Sequence, residues 1–126
     1  PAAVTVDEFD NPTSRTPVEV VSDVPPSASQ YLESSVSDAR ELFTRDDFAD
    51  DRDIVALSVI GVLSKTDLDG RKMGLQLETD AGLQEEAFDV DLTFSYKQVT
   101  YAWDAEQEPW TVAKINAAQW GAVVRP

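Results

Sequence analysis

Hydrophobic residues recur along this chain in two rhythms. The first is helical. Ala28, Leu32, Ser35, Val36, Ala39 and Phe43 fall on one stripe at helical spacing, with Tyr31 and Leu42 at its margins and Glu33, Ser37, Arg40 and Glu41 opposite. Ser27 as N-cap and Gln30 three residues later make a capping box. The spacing therefore predicts an amphipathic helix over 28–43. Thr44 and Asp47 repeat the cap signal and predict a further short helical turn through Phe48.

The second rhythm is that of strands. Residues 54–63 form a β-branched apolar run whose length and charged flanks suit a strand buried on both faces. Asp69-Gly70 marks a turn, Met73, Leu75 and Leu77 then alternate with Gly74, Gln76 and Glu78 as a second strand, and 80–82 turns again. Phe88, Val90, Leu92, Phe94 and Tyr96 alternate with Asp89, Asp91, Thr93, Ser95 and Lys97, the clearest strand pattern of the chain. Val99, Tyr101 and Trp103 continue one residue out of phase, which predicts a β-bulge at Lys97 or Gln98, or a bend that lets the strand serve two cores. Residues 104–109 form a loop. Over 110–118 helix and strand periods both fit in part; the strand is preferred, with Gly121 as a break and Val123-Val124 as a terminal stub.

Ahead of these elements, residues 1–26 hold five of the seven prolines and two short β-prone pieces, at 4–6 and 18–21, with Asn11-Pro12 and 23–26 as breakers. They read as an extended arm, held against the body or a neighbouring chain, before a single domain over 27–126. The expected fold class is α+β or mainly β: an antiparallel sheet or small barrel of four to six strands with one N-terminal amphipathic helix and the extended arm. No basic, apolar-cored leader is visible at the start, and the chain reads as a mature one.

Composition narrows the chemistry. The 126 residues suffice for one domain with a real core, and no apolar run is long enough to span a membrane as a helix. The absence of cysteine removes disulfides and thiolate chemistry, and the absence of histidine removes the commonest general base and metal ligand. Twenty-four acidic residues against ten basic ones leave a net charge of −14, which disfavours nucleic-acid backbones and anionic membranes. Asp outnumbers Glu 15 to 9 and only 4 residues are Lys, a balance suited to high salt, where self-repulsion is screened.

Three acidic groupings invite a site and none is patterned for one. Asp67-Leu68-Asp69-Gly70 resembles the middle of a calcium loop, but registering Gly70 at the invariant glycine puts Lys65 and Gln76 where the first and last carboxylates belong. Asp89 and Asp91 share a strand face about 6.6 Å apart, a spacing open to acid–base work, beside Thr93, Ser95 and Lys97 on the same face. Asp46, Asp47, Asp50, Asp51 and Asp53 could hold a hard cation weakly but show no ligand spacing.

The expectation is a chain with no catalytic residues, no metal site and no cofactor. It is a non-enzymatic structural or binding subunit of a larger assembly adapted to high salt. Its partners are other protein chains, as a homo-oligomer or a multi-protein assembly, with no direct nucleic acid and no membrane; a virion or surface-layer component, extracellular or in a high-salt cytoplasm, is one setting. The candidate interface comprises Val4, Val6, Val18 and Val20 of the arm, which can add a strand to a neighbour, and Tyr101, Trp103, Trp110 and Trp120, aromatic types enriched at binding hot spots. Alternatives are a small-molecule binder or enzyme with an apolar pocket near Phe88, Phe94 and Tyr96 and Asp/Glu chemistry, and an acidic mimic of nucleic acid.

Overall fold

Two glycines and a run of aliphatic residues decide the centre of the molecule. In the computed structural model, which describes residues 1–22, 29–49 and 53–126, the strand Gln119–Arg125 lies in mid-sheet. Counting in chain order, the strands are β1 (Ala3–Asp7), β2 (Arg40–Thr44), β3 (Leu57–Leu63), β4 (Lys72–Thr79), β5 (Gly82–Phe88), β6 (Ser95–Tyr101) and β7 (Gln119–Arg125). Among the described residues two short helices, α1 (Pro17–Val21) and α2 (Val112–Ala117), complete the order. A five-stranded antiparallel sheet runs β1-β2-β7-β4-β5, and β3 and β6 pair separately as a two-stranded antiparallel ribbon. The mainly-β, antiparallel fold is therefore as the sequence implies.

Gly121 is not a break but the condition for the centre. It pairs with Leu42 on one side and Gln76 on the other, and a Cβ there would sit 1.8 Å from the Glu41 carbonyl oxygen. Only glycine allows β2 and β7 to approach this closely. Gly61 plays a similar part between the layers, where a Cβ would meet Leu75 at 2.8 Å.

One face of the five-stranded sheet is the core. Leu75 and Leu77 of β4 pack with Val59 and Leu63 of β3, Ile115 of α2, and Val90, Trp110 and Ala118, with Met73, Phe88, Val99, Tyr101 and Trp120 against them. A satellite cluster of Phe9, Ala39 and Val124, with Leu32 and Ala122, closes one end.

Several sequence expectations give way, each for a physical reason. No helix forms over the described part of 28–43, and Ser27, Ala28 and the 23–26 breaker lie outside the described residues. Leu32 and Ala39 reach the satellite cluster from irregular backbone, Val36 is exposed, and Arg40–Thr44 is β2. The serine-rich stretch bonds its own backbone, as Ser34 Oγ does to the Val36 amide at 3.2 Å, and Asp38 takes a positive φ of 66°. The helix near the N-terminus is instead α1: Thr16 and Glu19 form a reciprocal capping box with Pro17 in the first turn, which overrides the β preference of Val18, Val20 and Val21. Residues 45–49 carry no helical turn.

The strand pattern over 88–97 is also not one strand. β5 ends at Phe88, residues 89–94 form a loop that buries only Val90, and β6 starts at Ser95. Aspartates at 89 and 91 fit a loop better than a ladder. With that loop in place Tyr96 simply points outward while Val99 and Tyr101 point inward, so β6 pairs with β3 without a bulge at Lys97 or Gln98. The register irregularity lies in β1, between Val4 and Val6. β3 begins at Leu57 and buries one face, not two. Thr111 caps α2 by accepting from the Lys114 amide, so 112–117 is helix and not strand. Val123 and Val124 belong to the full-length β7.

Candidate functional site

Among the described residues three polar side chains are buried, Gln76, Asp104 and Glu41, and each is the centre of a clasp. On the sheet face opposite the core, β2, β4, β5 and β7 are tied by a chain of side chains. Arg40 pairs with Glu78 and donates Nε–H to Gln76 Oε1 at 2.9 Å; Gln76 Nε2 donates to Glu85 Oε2 at 2.7 Å; Arg125 grips both Glu85 oxygens and pairs with Asp38. Gln76, fully buried in mid-chain, is the link between the two arginines. The hydrogen bonds from Arg125 hold the Glu85 carboxyl below its ordinary range, and Glu85 and Asp38 raise Arg125 in turn. Gly74 leaves the room, since a Cβ there would meet Glu85 Oε1 at 2.9 Å.

Asp104 is the second clasp. It is fully buried, accepts the Glu106 and Glu108 amides at 3.0 and 2.8 Å, and pairs with Lys114 of α2. The hydrogen bond from Lys114, then those amides, hold its carboxyl below the usual range. The loop so fixed delivers Trp110 into the core, where its ring N–H donates to the Tyr101 carbonyl at 2.8 Å.

Glu41 is the third. Its Oε2 accepts the Glu8 and Phe9 amides at 3.1 and 3.2 Å and so anchors the chain leaving β1, while Oε1, also buried, has no partner among the described residues. Burial raises this carboxyl to about 7, helped by the charges of Asp7 and Glu8 and opposed by the two amides.

The acidic groupings singled out in the sequence do not converge. Asp67 and Asp69 cap their own turn and pair with Arg71. Asp89 and Asp91 are exposed, Asp89 lying 3.8 Å from Lys72. Asp46, Asp47 and Asp53 are exposed, and Asp50 and Asp51 lie outside the described residues. Among the described residues no three acidic groups gather as ion ligands, and no helix is long and apolar enough to cross a membrane.

The candidate interface residues divide. Trp110 and Val20 are buried in this chain, Trp120 stacks obliquely on Phe43 with ring centres 5.5 Å apart, and Tyr101 is half-buried with its hydroxyl unpartnered among the described residues. Val4, Val6 and Val18 are half-buried, and Trp103 is 51% exposed. Phe88 packs into the core, whereas Phe94 and Tyr96 face solvent.

What the sequence reading missed is the outer face of the ribbon. Its register places Ser58 opposite Thr100, Ile60 opposite Gln98 and Val62 opposite Tyr96. Ile60 is 54% and Tyr96 70% exposed, and Ser58, Gln98 and Thr100 bond one another at 2.7 to 3.4 Å. None of the six is charged. The signal was in the acid spacing: residues 54–66, 92–103 and 109–126 are stretches of 13, 12 and 18 residues without Asp or Glu in a chain that has 24. The third stretch supplies α2 and β7, and burial explains it. The first two contain β3 and β6, and half of what they contribute faces solvent.

No family model matches this chain, and no curated protein and no solved structure matches it.

Proposed function

We propose that this protein is a non-enzymatic structural or binding subunit of a larger assembly, and that it works by presenting the outer face of the β3–β6 ribbon to other protein chains. The observation that carries this reading is the acid-free, half-apolar surface formed by Ser58, Ile60, Val62, Tyr96, Gln98 and Thr100 on a molecule of net charge −14. Exposed apolar patches on otherwise charged proteins mark contact surfaces. The polar clusters support the same reading, because their carboxylates are engaged by arginine, lysine or backbone amides. The arm takes part as well: β1 has β2 on one side only, and its outer edge is free among the described residues to receive a neighbour's strand. The acidic, lysine-poor surface suits a high-salt setting, in a virion, a surface layer or a high-salt cytoplasm.

The test is the size of the species that carries this chain in an extract of its natural source, held at about 2 M salt so that charge is screened. The expected result is elution well above monomer size. Elution as a free monomer contradicts the proposal.

A further inference from the structure

We infer that the ribbon's outer face is a self-contact, by which two copies of this chain associate face to face about a two-fold axis. The inference rests on the contact-subunit reading above and names the partner. Two observations point to a second copy, and a third sets how tightly it is held.

The first is charge. Two molecules of net charge −14 repel over most of their surfaces. The β3–β6 strands carry no acid, and their one charge, Lys97, is turned inward, 5.9 Å from the Phe88 ring centre. The outer face is therefore where two copies can meet without like charges opposed. A cationic partner would instead be drawn to the acidic surface and would gain nothing from this face.

The second is composition. Across a two-fold axis a patch must complement itself. Ile60 and Tyr96 supply apolar area, and the Ser58–Gln98–Thr100 group keeps spare donors and acceptors that a copy of itself can answer.

The third is area. A pair of seven-residue strands with Phe94 and Trp103 near its ends offers on the order of 500 Å² a side, less than the roughly 800 Å² of a standard specific interface. The pair is accordingly weak and dynamic. It tightens with salt, because screening removes the residual repulsion between the acidic flanks.

The experiment is sedimentation velocity on the purified full chain at about 50 μM, in about 0.1 M and about 2 M KCl. The variants are Tyr96→Glu and Ile60→Glu on the ribbon and Leu83→Glu on β5, where the side chain is also exposed. Tyr96→Ser is a milder companion, and melting temperatures verify that each variant folds. The expected result is a monomer–dimer equilibrium whose association constant rises about tenfold or more between the two salts. It falls about tenfold or more in both ribbon glutamate variants, less in Tyr96→Ser, and is unchanged in Leu83→Glu. A wild-type chain that stays monomeric in both salts overturns the inference, as does a dimer indifferent to Tyr96→Glu and Ile60→Glu, or one that weakens with salt. If the purified chain is monomeric while the extract still carries it in a large species, the self-contact fails and the subunit reading stands. If both are monomeric, both fall.

Discussion

The five-stranded sheet and the two-stranded ribbon present outward faces of opposite character. The sheet's outward face is charged and closed: Arg40, Glu78, Gln76, Glu85 and Arg125 satisfy one another across four strands. The ribbon's outward face is uncharged and open, with Ile60 and Tyr96 in water. A polar network whose members are matched gives a neighbouring molecule little to gain, since each group already has its partner. An apolar face left in water does the reverse. In a chain so acidic, the absence of acid from an exposed face is more informative than the presence of acid elsewhere.

The comparison can be broken most severely at the sheet's centre. Gly121→Ala places a methyl group into the Glu41 carbonyl, 1.8 Å away, and should cost more than about 3 kcal/mol or abolish folding. Gly70→Ala, with nothing within 4 Å, should change stability by less than about 0.5 kcal/mol. Urea unfolding of the two variants measures both. Next in size, Gln76→Leu leaves Arg40 and Glu85 each short of a partner, with an expected loss of about 2 kcal/mol by the same assay.

Glu41 sharpens the contrast through pH. Its folded carboxyl is raised to about 7 from 4.5, so the folded state holds this proton more tightly than the unfolded chain does. The stability this gives is full below 4.5 and is lost as pH rises through about 7. Glu41→Gln keeps an acceptor for the Glu8 and Phe9 amides without the charge. The wild-type-minus-variant difference should fall by on the order of 1–2 kcal/mol between pH 5 and 8, read from unfolding curves across that range. A flat difference would remove the buried charge from the picture. The smallest effect belongs to the ribbon. Ile60→Thr should leave monomer stability within about 0.5 kcal/mol of wild type, whereas Val59→Ala, one residue away and facing inward, should cost about 2 kcal/mol. Thermal unfolding at low protein concentration checks that pair.

The antiparallel β character was legible because Leu75 and Leu77 alternate cleanly and short turns such as 80–81 bracket them. The helix over 28–43 was misread because its stripe arose from residues that serve different structures: Leu32 and Ala39 in the satellite cluster, Phe43 in β2 against Trp120. Periodicity records where apolar residues fall, not what they touch. α1 was readable from Thr16-Pro17 and Glu19, yet the valines drew it toward strand. Gly121 looked like a break because a glycine required by close backbone approach and one that ends an element have the same appearance in one dimension. β5 escaped because an edge strand with Glu85, Glu86 and an exposed Leu83 has almost no apolar pattern. For the candidate surface, the gaps in acid spacing were visible, but only the β3–β6 register shows that two of them share one exposed face.

Amide hydrogen exchange of the purified chain, compared between about 0.1 M and about 2 M KCl, tests the central contrast most directly. Protection should rise with salt over Leu57–Leu63 and Ser95–Tyr101 well beyond any change in Lys72–Thr79 and Gln119–Arg125. A uniform rise across all four strands, or none in the ribbon, would contradict the assignment of the ribbon as the contacting face.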